Sequence, residues 1–176
     1  NNNLFAAFKF YKRAIEIGVK PIIGATVSIR PGVSERISKL ILLCKNTTGY
    51  KNLSNLITRS YLEGYQKDEA LVDIEWLDDQ SSSGLIAISG GYNGFIQNLL
   101  LSEKAGTATN QVERLQLIFA EDLFLQIQKL GGNRDVELLE KTIEIASLAE
   151  LPLLAANNPR FLNQDDYLSL DARVCI

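Results

Sequence analysis

The chain has 176 residues, 46% hydrophobic and 22% charged, the composition of an ordinary globular domain large enough to bury one core. Lys and Arg number 18 against 21 Asp and Glu, for a net charge of −3. A surface that grips nucleic acid needs a basic excess to displace counterions from phosphates, so that role is excluded as the main one. Histidine is absent, which removes the side chain most used for metal ligation and proton transfer near neutral pH.

No apolar run reaches the length needed to span a bilayer, and no signal peptide is visible. Cys44 and Cys175 lack the paired spacing of a disulfide framework or zinc site. Their apolar surroundings predict buried, inert thiols and a reducing, cytoplasmic location.

Leu4, Ala7, Phe8, Tyr11 and Ile15 recur at helical spacing, with Asn2 or Asn3 as N-cap and Gly18 as the stop. Ile22 to Ile29 and Lys39 to Cys44 read as strands about a Pro31-Gly32 turn. Leu53, Leu56, Ile57, Ser60 and Tyr61 restore the helical period up to Gly64, and Tyr50 and Tyr61 are expected to anchor that helix. The run Asp78-Asp79-Gln80-Ser81-Ser82-Ser83 is a solvated loop, too short for a domain linker.

Leu85 to Ser89 is a short apolar run of the kind found in buried parallel strands. Gly90-Gly91 turns the chain into a helix around Phe95 to Leu101, and Val112, Leu115 and Phe119 mark a third amphipathic helix. Leu123 to Ile127 reads as a strand. Val136, Leu139, Ile143 and Ala146 mark a helix capped by Asn133 or Asp135, and Leu151 to Ala156 is the closing strand. Asp165 and Asp166 suit the first turn of a final helix, where the dipole favours negative charge. Strand, turn and helix in alternation predict an α/β fold with mostly parallel strands.

Sites in such folds gather at the carboxyl ends of strands. The residues expected there are Thr26, Ser89, Gln126 and Asn157-Asn158. A hydrolytic metal site wants imidazoles or carboxylates converging from several strands, and neutral hydroxyls and amides bind a divalent ion too weakly to replace them. The turn Gly90-Gly91-Tyr92-Asn93-Gly94 could offer backbone N–H groups to a phosphate, but it contains no Lys or Arg and reads first as a tight strand-to-helix turn. Gly131-Gly132-Asn133 reads the same way. The adjacent carboxylates Asp78-Asp79, Glu121-Asp122 and Asp165-Asp166 are expected to point apart and stay solvated rather than act as acid–base pairs. Trp76, Tyr50, Tyr61 and Tyr65 are not interleaved with basic residues as a base-stacking stripe would be.

Four segments together resemble the PHP domain of the bacterial DNA polymerase III alpha subunit. They are Asn2 to Tyr11, Gly18 to Ala25, the run Gly49-Tyr50-Lys51-Asn52-Leu53 within residues 45–53, and the stretch from Phe124 to Phe161 that ends in Leu151-Pro152-Leu153-Leu154-Ala155-Ala156-Asn157-Asn158-Pro159-Arg160-Phe161. The resemblance implies a distorted (β/α)7 barrel. It makes residues 1–176 a single PHP domain fragment, incomplete at the N-terminal end. The family's opening strand, with its His-and-Asp metal motif, would precede Asn1, and the polymerase domains would follow Ile176.

The resemblance also implies ligand positions. The acidic residue after the Gly-Ala pair is replaced by Thr26, and the ligand after Ser-Gly by Gly91. Gln126 and Leu130 stand for the Glu and His flanking the next strand, Asn158 for an Asp, and Leu170 for the closing His. No catalytic, metal or phosphate site is then expected, and no cofactor in this chain, with Mg2+ needed by the parent polymerase. The implied role is a scaffold and docking surface for the proofreading exonuclease subunit, in contact with the remaining alpha-subunit domains. DNA would be held by the parent chain and no membrane is involved. The alternative is a residual metal-dependent phosphoesterase or exonuclease using carboxylates such as Glu121 or Asp171.

Overall fold

A computed structural model describes residues 2–30, 36–102, 105–129, 131–132, 134–157, 159 and 162–174. Among these residues, six helices and seven strands follow in the order α1 (Ala7–Glu16), β1 (Gly24–Ile29), β2 (Ser38–Cys44), α2 (Thr47–Leu62), β3 (Tyr65–Gln66), β4 (Glu69–Val72), β5 (Leu85–Ile88), α3 (Phe95–Leu101), α4 (Ala105–Phe119), β6 (Leu123–Ile127), α5 (Asp135–Leu148), β7 (Leu153–Ala155) and α6 (Tyr167–Val174). Short 3-10 turns cover Ile74–Trp76, Gly91–Asn93, Ala120–Asp122 and Gln164–Asp166.

The seven strands form one sheet in the order β3-β4-β1-β2-β5-β6-β7. This corrects two expectations. Among the described residues the sheet ends at β3 and β7 and does not close into the distorted, N-terminally incomplete barrel that the resemblance implied. It is also mixed. The pairs β1–β4, β5–β6 and β6–β7 are parallel, while β1–β2, β2–β5 and β3–β4 are antiparallel. For β1–β2 and β3–β4 connection length is the physical reason, while β2–β5 is antiparallel across the long connection 45–84. A parallel return needs a crossover of about a dozen residues or more, but β1 and β2 are joined only by residues 30–37 and β3 and β4 only by Lys67 and Asp68. Both residues of that second turn have positive φ, 49° and 63°, as a tight hairpin demands.

One face of the sheet makes the core. Ala25, Val27, Leu40, Leu42, Leu85, Ala87, Leu123 and Leu125 project from it into helices α2 to α5. Helix α2 starts where Asn46, in extended conformation, accepts the Gly49 N–H on Oδ1 at 3.0 Å. It buries Leu53, Leu56, Ile57 and Ser60 against β2 and β4. The other face is half-buried. Thr26, Ile41, Ile88 and Phe124 lie in register across β1, β2, β5 and β6, and none belongs to the core cluster.

Two helices differ from their expected form. The predicted stripe of α1 faces solvent: Phe8 is 77% exposed, Tyr11 and Ile15 are about half exposed, and only Ala14 is buried. Its N-cap is Ala6, with no side-chain cap. In α5 the buried face is Leu138, Thr142, Ile145 and Ala146, while Val136 and Ile143 are exposed. Thr142 hides its hydroxyl by donating to the Leu138 carbonyl at 2.7 Å, which lets a polar residue take a core position. Tyr50 and Tyr61 are exposed as well and do not anchor α2; Tyr61 stacks on Tyr65 at 6.3 Å. Cys44 is half-buried, and burial raises its thiol pKa, which keeps it protonated and inert. The Pro31-Gly32 turn, Asn133 and Cys175 lie outside the described residues.

Asn2 has another task than capping. Its side-chain amide donates to the Ser28 hydroxyl and the Ala70 carbonyl, both at 2.9 Å, and accepts the Ser28 N–H at 2.7 Å. It acts as a peptide group would, filling the ladder where β1 and β4 part. Beside it, Lys39 Nζ reaches Ser28 Oγ at 2.6 Å and Glu69 Oε1 at 2.8 Å, and the Ser28 hydroxyl also contacts Glu69. Burial alone would raise the Glu69 pKa, but the hydrogen bonds from Lys39 and Ser28 outweigh it and hold the carboxyl below its usual range. A depressed folded pKa stabilises above the unfolded value and is lost as pH falls through the folded one. We expect part of the acid sensitivity of the fold to vanish in Glu69→Gln. Denaturant midpoints measured from pH 7 down to pH 3 check this, and identical pH slopes for the two proteins would refute it.

Candidate functional site

Strands β1, β4, β5, β6 and β7 all run the same way, so their carboxyl ends form one rim. At the ends of β1 and β4 this rim carries an ion pair, Arg30 with Asp73 at 3.8 Å; between β5 and β6 it is polar and uncharged as far as Gln128. At the end of β5, the hydroxyl of fully buried Ser89 accepts the Gln126 N–H at 2.9 Å and the Gln97 side-chain amide at 2.8 Å. Gln97 comes from α3 and also donates to the Gln126 carbonyl at 3.2 Å, while its own Oε1 has no hydrogen-bond partner among the described residues. Gln126 Nε2 donates to Gln128 Oε1 at 3.0 Å. The result is a strand-to-strand cluster of one hydroxyl and three carboxamides.

The chain turns over this cluster at Gly90 and Gly91, whose φ values of 86° and 63° are both left-handed. Gly91 is buried. A Cβ placed on it would lie 2.2 Å from Gln128 Oε1 and 2.8 Å from Gln126 Nε2. The glycines thus serve a close approach of backbone to amides. The turn leads through Gly91–Asn93 into the short helix α3, as a tight connection does.

Of the predicted positions, Gly91 and Gln126 meet here. Thr26 does not: it lies inside β1, half-buried, beside Ile41 rather than at the rim. Leu170 lies on α6, and Leu130 and Asn158 fall outside the described residues. The sequence reading missed Gln97 and Gln128. A lone glutamine in the apolar segment Phe95–Leu101, and a second one two residues beyond Gln126 on the same strand face, were the available signals.

The adjacent carboxylates do not form acid–base pairs. Asp78 accepts the Ser81 N–H at 2.7 Å, and that bond first, with the Ser81 hydroxyl, lowers its pKa. Asp122 holds Lys45 Nζ at 2.6 Å while Glu121 stays exposed. Asp166 accepts the Asn163 N–H at 3.1 Å. Trp76 carries the Arg59 guanidinium 4.2 Å above its ring, a surface cation–π contact rather than a base-stacking groove. Among the described residues, no group of three or more His, Cys, Asp or Glu converges, and no helix is long and apolar enough to cross a membrane.

A divalent cation does not fit the rim residues present. Gly91 and Gln126 offer no anionic ligand, and Thr26 lies away from them inside β1. The Gln126 amide turns its donor end to Gln128, and the two amides occupy the space beside Gly91.

The architecture is thus an α/β domain whose strand carboxyl ends converge on one rim, closed by amides. Residues 1–129 match the family model described as the PHP domain, and the chain belongs to that family. It is 33% identical over 176 residues to the DNA polymerase III subunit alpha of Pseudomonas aeruginosa, covering 99% of this chain and 15% of that protein. It is 33% identical to the subunit of the same name from Vibrio cholerae, over 99% of this chain and 15% of the relative. With the Xylella fastidiosa (strain Temecula1) subunit it shares 35% identity, over 99% of this chain and 14% of the relative. The chain therefore spans about 15% of the length of the curated relatives it matches.

Proposed function

We propose that residues 1–176 are the PHP domain of a DNA polymerase III alpha subunit, and that the domain serves that enzyme without chemistry of its own. DNA-directed DNA synthesis, its Mg2+ and the main DNA contacts belong to the rest of the alpha subunit. This domain supports the neighbouring domains and offers a docking surface for the proofreading exonuclease subunit, in the cytoplasm. The observation that carries the reading is the rim: amides and a hydroxyl stand where a hydrolytic site needs imidazoles and carboxylates. The negative net charge supports a protein contact over a nucleic-acid contact. The alternative carboxylates Glu121 and Asp171 are exposed, the first in a turn and the second on α6, a poor setting for metal chemistry.

The test is a hydrogen-exchange footprint of the exonuclease on the intact alpha subunit. We expect slowed exchange within residues 2–174 on binding. A footprint lying wholly in other domains would remove the docking role.

A further inference from the structure

The geometry around Gly91 points to a site that has been refilled, with Gln128 as the residue that seals it. The inference rests on the reading of an emptied PHP site given above and deepens it. Gln128 is outside the positions that the family resemblance assigns to ligands. Yet its Oε1 is the atom nearest to where a side chain at position 91 would begin, at 2.2 Å from that Cβ. Real Cβ atoms do not approach an oxygen so closely, so any ligand side chain at 91 requires Gln128 to move.

Gln128 is not free to do so at no cost. Its Oε1 accepts from Gln126 Nε2 at 3.0 Å. The Gln126 backbone is fixed in turn by Ser89 Oγ on its N–H and by Gln97 on its carbonyl, at 2.9 and 3.2 Å. Moving Gln128 takes from Gln126 Nε2 the hydrogen-bond partner it has among the described residues. A side chain restored at position 91 would therefore displace the Gln128 amide and break its bond to Gln126. Gly91 and Gln128 form a coupled pair: the absence of a side chain at one is what the amide of the other occupies.

The test is a double-mutant cycle in the intact protein, read by exchange protection of the β5 and β6 amides. Gly91→Ala should lose at least tenfold in protection. In the Gln128→Ala background the same change should cost at least fivefold less, the residue of the cost coming from the left-handed backbone at 91. Equal loss in both backgrounds, or no loss in either, would overturn the pairing. A separate titration of the unmodified protein with Zn2+ or Mn2+ addresses the underlying reading. Stoichiometric uptake would overturn the emptied site itself whatever the cycle shows, and absence of uptake supports it.

Discussion

Leu42→Ala is expected to cost the fold about 4 kcal/mol, near the upper end of the range for a buried leucine. Leu42 is fully buried in β2, the central strand of the sheet. Its ladder partners are Ala25 on β1 and Ala87 on β5. A large side chain flanked in the ladder by two alanines has no long cross-strand partner directly opposite to fill the gap, so most of the cavity persists. Leu117→Ala is the control, since Leu117 is 82% exposed and its loss should move stability by less than about 0.5 kcal/mol. Urea midpoints of the two variants check the contrast, and similar shifts would mean that the packing described here is wrong.

Gly49→Ala is the second large expected effect, a net loss of about 2 kcal/mol. Alanine is the better helix former by about 1 kcal/mol, and Gly49 lies in the first turn of α2. Against this, an added Cβ would meet the Gly84 carbonyl oxygen at 1.9 Å and the Gly84 carbonyl carbon at 2.6 Å. Overpacking costs up to about 3 kcal/mol and sometimes more. Here the obstacle is backbone, which no rotamer change can relieve. The Gly84 carbonyl also accepts the Lys45 N–H at 2.9 Å, so pushing it aside breaks the link between the end of β2 and the start of β5. Thermal unfolding decides the sign: a variant melting at or above the parent temperature would show that helix propensity wins.

The elements that the sequence announced clearly are those whose pattern and burial agree. The segment 95–101 and the strand 123–127 are where periodicity and apolar runs placed them. Leu53, Leu56, Ile57 and Ser60 face the core as their spacing required. The strands β3 and β4 went unseen because Tyr65–Gln66 is two residues long and polar, and its turn, Lys67-Asp68, adopts positive φ without glycine. The stripe of α1 was legible as a helix but not as an exposed one, because periodicity reports an apolar face without saying what meets it. The parallel bias failed for a similar reason: the short β1–β2 and β3–β4 connections force antiparallel pairing, and the residues within a strand do not report which strand it will meet.

At the rim, the residue identities at Gly91 and Gln126 were legible from the resemblance. The part played by Gln97 and Gln128 was not, because it depends on how close β5, β6 and α3 come in space. Asn2 was read as a cap because caps and ladder bridges use the same side-chain amide. Only the partner distinguishes them.

The strand order also has a consequence for assembly. Strands β1 to β4 occupy neighbouring places, β3-β4-β1-β2, and the remaining three occupy β5-β6-β7. Every ladder of the earlier group can close without a residue beyond Val72. Until β5 joins, that group has two margins, the two-residue β3 and the far side of β2, whose middle carries Leu40, Ile41, Leu42 and Leu43. Sticky margins of that kind invite pairing with other chains. The far side of β2 is thus the longer and stickier margin of the half-made sheet, and pairing with β5 is what covers it.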